Sequence, residues 1–314
     1  MRIEDFIHRV QPRRTVHGIA AALLPFEADG RIAVEAFQLR LQATHQAGLT
    51  NAVNMDTGYV NYLVDEEKQL VLKWAREALG PAPPLIAGAC IEEEDGDIVA
   101  LYRREMDRIA MHTATPILFP TSRFHGLSAR ERVARYREIC KGFPAGLAFE
   151  LSPVFAPNGE LFDDDTIRGL MDIPELKGMK HSSLDRLLEL RRLELRDAHR
   201  PDFRIYSGND LGINMIEYGS DYLLGLAAFA PEQFAERDRL WRDGDGRYYA
   251  LSDALQHLGN VAFRPPIPAY KHSAAIFLHL CGRIPSPRTH PDNPQRPDWD
   301  TVAMRDCAAR LGLV

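Results

Sequence analysis

A (β/α)8 barrel is the fold class this 314-residue sequence predicts, and three observations predict it. Short, nearly continuous apolar runs recur along the chain. Amphipathic stretches of helical period separate them, and the pairing repeats eight times between residues 17 and 245. Apolar runs without polar alternation suit strands of a parallel sheet buried on both faces, and strand–helix alternation marks βα units. A doubly wound sheet uses the same units but announces itself with a glycine-rich phosphate turn after its first strand. Here the first strand runs into Pro25-Phe26-Glu27-Ala28-Asp29-Gly30, with no GxGxxG, and the chain has no GxxxxGK(S/T).

In order, the strands fall at 17–24 (HGIAAALL), 51–56 (NAVNMD), 84–90 (PLIAGAC), 115–119 (TPILF), 146–151 (GLAFEL), 175–180 (ELKGMK), 203–207 (FRIYS) and 221–226 (DYLLGL). Helical stretches lie between or after them at 33–48, 65–79, 95–112, 128–142, 163–172, 183–198, 210–218 and 231–243. Residues 246–314 add about three helices around a proline-rich link from Arg283 to Pro297. The chain therefore divides into a barrel, 1–245, and a C-terminal helical region, 246–314, suited to a cap or an oligomer surface.

Composition narrows the function. With 45% hydrophobic residues there is enough for one large α/β domain or two ordinary ones. A net charge of −6 argues against a nucleic-acid partner, which needs a basic surface. The arginines between Arg186 and Arg200 alternate with Glu and Asp as on a solvated helix face. Cys90, Cys140, Cys281 and Cys307 lie far apart, without zinc spacing, so no metal is expected. Met1–Phe6 has no apolar leader core, and no apolar stretch reaches about 18 residues. These features predict a cytoplasmic protein with reduced thiols and no membrane partner.

One residue dominates the chemistry. Ile173-Pro-Glu-Leu-Lys-Gly-Met-Lys180 reads as a short strand ending in a lysine, followed by a helix start with Ser182 or Ser183 as N-cap. A lysine at the carboxyl end of a barrel strand points into the face where such folds do chemistry. Desolvation there lowers its pKa and makes the amine a nucleophile toward carbonyl carbon. The same face collects Asp56-Thr57-Gly58-Tyr59, Pro120-Thr121-Ser122-Arg123, Glu150, Ser207-Gly208-Asn209-Asp210 and Gly225. Carbinolamine formation and bond cleavage need a general acid and base, for which Asp56 and Glu150 are the candidates. Read without chemistry, Asp56 and Glu150 are loop carboxylates, and Ser207-Gly208-Asn209-Asp210 is a good capping sequence.

These strand-end residues resemble the dihydrodipicolinate synthase / N-acetylneuraminate lyase family of Schiff-base barrels. The resemblance rests on Gly18-Ile-Ala-Ala-Ala-Leu-Leu-Pro-Phe26 with Asp29-Gly30, on Thr57-Gly58 before Leu63 and Asp65-Glu66-Glu67-Lys68, and on Gly126-Leu127 after the fourth strand. It continues with Leu176-Lys-Gly-Met-Lys180-His-Ser-Ser, Ser207-Gly208-Asn209-Asp210 and Pro265-Pro266-Ile267-Pro268. It implies a lysine imine at Lys180, a homotetramer or homodimer, and no cofactor. It also implies departures. Asp56 stands at the position of the family's relay hydroxyl, while Thr57 keeps the position that grips a 2-oxo acid carboxylate. Glu150 aligns with the family's catalytic tyrosine, the strand-4 loop lacks its tyrosine, and the arginine after strand 5 is missing.

The sequence therefore predicts a class I lyase performing retro-aldol cleavage or dehydration of a small oxo compound, a keto sugar or 2-oxo sugar acid. Lys180, Glu150 and Asp56 are its expected catalytic residues, and Thr57, Gly58, Ser207, Gly208, Asn209 and Leu226 its expected substrate contacts. An anionic Asp56 beside Thr57 repels a carboxylate unless it is protonated or paired. Arg123 and His125 are alternative partners for an anionic substrate, and His125 and His181 alternative proton carriers. The rival readings are a dihydrodipicolinate synthase or sialate-type pyruvate aldolase with a rearranged relay, and a catalytically silent barrel that binds a sugar or 2-oxo acid.

Overall fold

In the computed structural model, which describes residues 8–314, eight parallel strands close into a barrel in sequence order. They are β1 (Gly18–Ala21), β2 (Thr50–Val53), β3 (Leu85–Ala89), β4 (Thr115–Leu118), β5 (Gly146–Leu151), β6 (Leu176–Ser182), β7 (Arg204–Ser207) and β8 (Asp221–Leu224). The ring closes through Ile19, which pairs with Thr50 of β2 on one side and Leu223 of β8 on the other. Met1–Phe6, where a leader core was sought, lies outside the described residues.

Alternation along each strand sorts side chains into two layers. Ile19, Ala52, Ile86, Ile117, Leu147 and Leu223 point inward and fill the lumen as a packed cluster of their own. The other parity meets the helices α1 (Val34–Gln46), α2 (Asp65–Leu79), α3 (Ile98–Met111), α4 (Ala129–Cys140), α5 (Asp164–Met171), α6 (Arg186–His199) and α7 (Pro231–Asp243). Local chemistry starts these helices. Asp97 accepts from the Ala100 amide, Asp163 from Thr166, and Ser128 forms a capping box with Glu131.

Two expected boundaries are corrected. β6 runs through Ser182, and the next helix is capped by Asp185, whose carboxylate accepts from the Leu187 and Leu188 amides; neither Ser182 nor Ser183 is the N-cap. The stretch at 210–218 forms only a 3-10 segment, Ile213–Tyr218, bounded by Gly212 and by Gly219 in a left-handed turn.

The region after 245 supplies α8 (Arg247–Ala262), α9 (Tyr270–Leu280) and α10 (Asp300–Arg310). Leu258, Phe277 and Met304 belong to the same hydrophobic cluster as the barrel's outer layer. The proline-rich link folds back over the C-terminal end of the barrel, where His290 stacks on Tyr62 at 5.1 Å. No helix among the described residues is long and apolar enough to cross a membrane.

Candidate active site

Lys180 lies on the inward parity of β6. It pairs in register with Phe149 of β5 and Tyr206 of β7, both in the lumen cluster. Its ammonium sits 4.5 Å above the centre of the Phe149 ring. Burial pulls its pKa down to about 8, against the opposing pull of Asp210 and Asp56. A lysine so placed carries a substantial neutral fraction at mildly alkaline pH, as nucleophilic attack requires.

Close backbone approach makes room for it. A Cβ on Gly208 would collide with the Ser182 hydroxyl and come within 2.9 Å of Lys180 Cε. Gly208→Ala should therefore displace the lysine amine and slow any reaction of it with an oxo compound about a hundredfold, the scale of an ångström-sized misplacement of a reacting group. Borohydride-trapped adduct formation measures this, and an unchanged rate would show that Gly208 does not set the pose of the lysine.

The register does not bring Glu150 to Lys180. It pairs with His181, so both side chains lie on the outer parity of the sheet, and the expected catalytic placement of Glu150 is corrected. There its carboxylate receives Arg192 Nη2 of α6 at 2.6 Å, His181 Nδ1 at 2.5 Å and the Phe162 amide at 2.7 Å. Burial alone would push its pKa up; His181 and Arg192 override this and hold it near 2. His181 is thereby also removed from the lumen, its Nε2 bonded to the Ser183 hydroxyl at 2.6 Å. The side chain that faces the lysine from β5 is Phe149.

Asp56 does reach the mouth of the barrel. It opens a 3-10 turn, Asp56–Gly58, directly after β2. Its carboxylate accepts from the Tyr270 phenol at 2.9 Å and pairs with Lys271 Nζ at 3.1 Å, both from α9. Tyr270 also bonds the Thr57 hydroxyl at 2.8 Å. The phenol has one hydrogen and directs it to Asp56, so Thr57 donates to Tyr270. The result is an ordered chain, Thr57 to Tyr270 to Asp56, with Lys271 neutralising its end. The pairing that a carboxylate at position 56 requires is met by Lys271, and neither by Arg123, which bonds the Ile91 and Gly96 carbonyls, nor by His125, which bonds Asn158. Gly225 leaves space for this chain: a Cβ there would sit 3.0 Å from the Tyr270 ring and 3.1 Å from Thr57 Oγ1.

The remaining expected contacts divide. Gly58 is buried in the turn and closes it through its amide to the Met55 carbonyl. Ser207 pairs with His181 and faces outward, away from Lys180, where its hydroxyl accepts from the Asn209 amide. Asn209 caps the turn by accepting from the Leu211 amide. Leu226 packs in the outer core and contributes its amide, which donates to Asp210 at 2.8 Å.

Four residues beyond the expected catalytic and substrate contacts stand at this mouth. Tyr270 and Lys271 come from the region read as an appendage. Asp210, read as part of a capping sequence, is buried beside Lys180, and burial pushes its pKa to about 7 despite the Leu226 amide and the lysine. Ser182, read as a cap, pairs with Leu151 on the inward face and carries a buried hydroxyl with no partner among the described residues. An unpaired buried donor next to a reactive amine is suited to hold a substrate oxygen. A cavity of about 540 Å³ opens from Asp56 past Phe119 and Leu151 to Lys68, Asn158 and Asp292.

No family model matches the chain. It is 22% identical over 230 residues to 4-hydroxy-tetrahydrodipicolinate synthase of Kosmotoga olearia, covering 72% of this chain and 75% of that protein. Its barrel superimposes on dihydrodipicolinate synthase from Thermotoga maritima with a TM-score of 0.81, at 17% identity over 96% of this chain and 100% of that one. A prophage protein of the dihydrodipicolinic acid synthase family from E. coli K12, in complex with pyruvate, gives 0.81 at 17% identity over 95% and 99%. Dihydrodipicolinate synthase from Acinetobacter baumannii, complexed with pyruvate, gives 0.79 at 18% over 96% and 100%. The fold and site define the class of lysine-bearing (β/α)8 barrels. The fold is that of the dihydrodipicolinate synthase structures the chain resembles, and the curated relative shares it at 22% identity.

Proposed function

We propose that the protein is a class I lyase that forms an imine between Lys180 and a small oxo compound. The observation that carries this reading is a buried lysine at the carboxyl end of β6, its pKa lowered to about 8, with a hydrogen-bonded acid chain at the same mouth. A 2-oxo acid as the imine-forming partner is supported by the two similar structures that hold pyruvate.

The neutral amine adds to the ketone carbon, and the carbinolamine oxygen leaves as water after taking a proton. Asp210, poised near 7, is suited to deliver that proton. Ser182 holds the substrate oxygen beside the lysine. In retro-aldol cleavage the substrate hydroxyl loses its proton toward Tyr270 and Asp56, and the electron pair of the breaking C–C bond moves onto the iminium. The enamine so formed is protonated on carbon by the same pair, and water hydrolyses the imine to free Lys180. Condensation is the reverse course, and loss of a hydroxyl instead of a carbon fragment gives dehydration through the same electron sink.

Tyr270→Phe tests the relay. The ring keeps its stack on Phe263, whose centroid lies 4.3 Å away, but the proton directed to Asp56 is gone. Turnover should fall about a hundredfold to ten-thousandfold while imine trapping on Lys180 persists. Unchanged turnover would remove Tyr270 from the mechanism. The reading includes a cytoplasmic location, supported by four unpaired cysteines, and self-association into a homodimer or homotetramer, which sedimentation would check.

A further inference from the structure

The mouth of the barrel is chemically divided. Its polar side is built from β2, β6 and β7 and their loops: Asp56, Thr57, Lys180, Ser182 and Asp210. Its other side is built from β3, β4 and β5, whose inward residues at the same level are Cys90, Phe119, Phe149 and Leu151, all at most 6% exposed. Phe119 meets Phe149 edge to face at 5.0 Å, and Phe149 lies directly beneath the lysine ammonium. The cavity of about 540 Å³ runs along this apolar side, with Val60, Cys90, Phe119 and Leu151 in its wall. Burial keeps the Cys90 thiol protonated, so it too presents an uncharged surface. Asn61, Lys68, Glu92, Glu93, Asn158 and Asp292 line the cavity as well, all of them from loops or helices beyond the strand ends.

Hydroxyls turned toward Cys90, Phe119 and Leu151 would leave water without finding hydrogen-bond partners on that wall, whereas an apolar group there exchanges water for aromatic and aliphatic contacts. We propose that the compound processed at Lys180 has two unlike ends: a polar oxo-acid head held by the Asp56–Ser182 side, and an aryl or branched-alkyl substituent seated against Phe119 and Leu151. This departs from the keto-sugar substrate that the sequence predicts. It rests on the imine-forming reading given above, whose nucleophile and head group it retains.

The test is a matched pair of 2-oxo acids of similar length, 2-oxo-4-phenylbutanoate and a polyhydroxylated 2-oxohexanoate, with pyruvate as reference. Each is titrated against the protein in the presence of borohydride, and the adduct on Lys180 is followed by intact mass. The aryl compound should reach half-maximal trapping at a concentration roughly tenfold to a hundredfold below that of the hydroxylated one, the discrimination an apolar pocket can deliver. Leu151→Asn, which places an amide in the wall, should narrow that ratio. Equal or reversed half-maximal concentrations overturn the proposal. So does a pyruvate adduct on Lys180 with neither larger compound trapped, which leaves the imine reading standing. Absence of any adduct on Lys180 with all three overturns both.

Discussion

Replacing Lys180 with alanine is expected to abolish both turnover and the covalent adduct that borohydride traps in the presence of a 2-oxo acid. The imine is the electron sink of the proposed reaction. Lys271 is also buried, but its ammonium is paired with Asp56 at 3.1 Å and enclosed by the rings of Tyr59, Tyr62 and Tyr270, each centred 5.7 Å away. Lys180→Arg should be equally inactive, because a guanidinium stays protonated. The wild-type protein should show the complementary pH dependence. Below about 8 the lysine is mostly protonated, so the trapping rate should rise about tenfold per pH unit from acid pH and level off above that value. The rate of adduct formation between pH 5 and 10 measures this. A flat profile, or residual turnover in Lys180→Ala, would place the chemistry elsewhere.

Glu150→Gln is expected to destabilise the fold by about 3–5 kcal/mol, the cost of leaving a buried partner charge uncompensated. Arg192 is 1% exposed and is held by both Glu150 oxygens together with the Phe162 carbonyl. Removing the carboxylate charge leaves that guanidinium only the more distant, partly exposed Asp164, at 3.3 Å. Replacing Glu150 and Arg192 together with Met and Leu should recover much of the loss, since an apolar pair of similar volume needs no desolvation of charge. The pH dependence has a definite sign. The folded-state pKa of Glu150, near 2, lies below the ordinary carboxylate value of 4.5. Its contribution, on the order of 3 kcal/mol, is complete above about 4.5 and is lost as pH falls toward 2. Urea unfolding at pH 7 and pH 3 measures both effects. Unchanged stability with a selective loss of activity would return Glu150 to the chemistry.

Glu150 also shows where sequence reasoning stops. The run GLAFEL locates β5 correctly, but side chains alternate with period two, and a single residue decides between lumen and helix layer. Aligning a tyrosine with Glu150 instead of Phe149 moved a buried ion pair into the expected site. The same alternation misplaced Ser207. Lys180, Asp56 and Thr57 were legible because strand ends follow from apolar runs and a barrel directs them to one face. Ser182 and Asp210 were visible as residue types but read as caps, since Ser and Asp serve both purposes. Tyr270 and Lys271 carried no local signal. They lie more than 200 residues from Asp56 in sequence and reach it only because α9 packs over the barrel mouth. The eightfold alternation of short strands and helices, by contrast, is a property of the whole chain and survives errors of one residue.

Whether Lys180 is the nucleophile is decided by locating the covalent adduct. The protein is incubated with pyruvate and borohydride, digested, and the modified peptide is sequenced by mass spectrometry. The account predicts a single reduced adduct within Leu176–Ser182, on Lys180. An adduct on Lys271 or another lysine, or no adduct at saturating pyruvate and pH above 8, would contradict it.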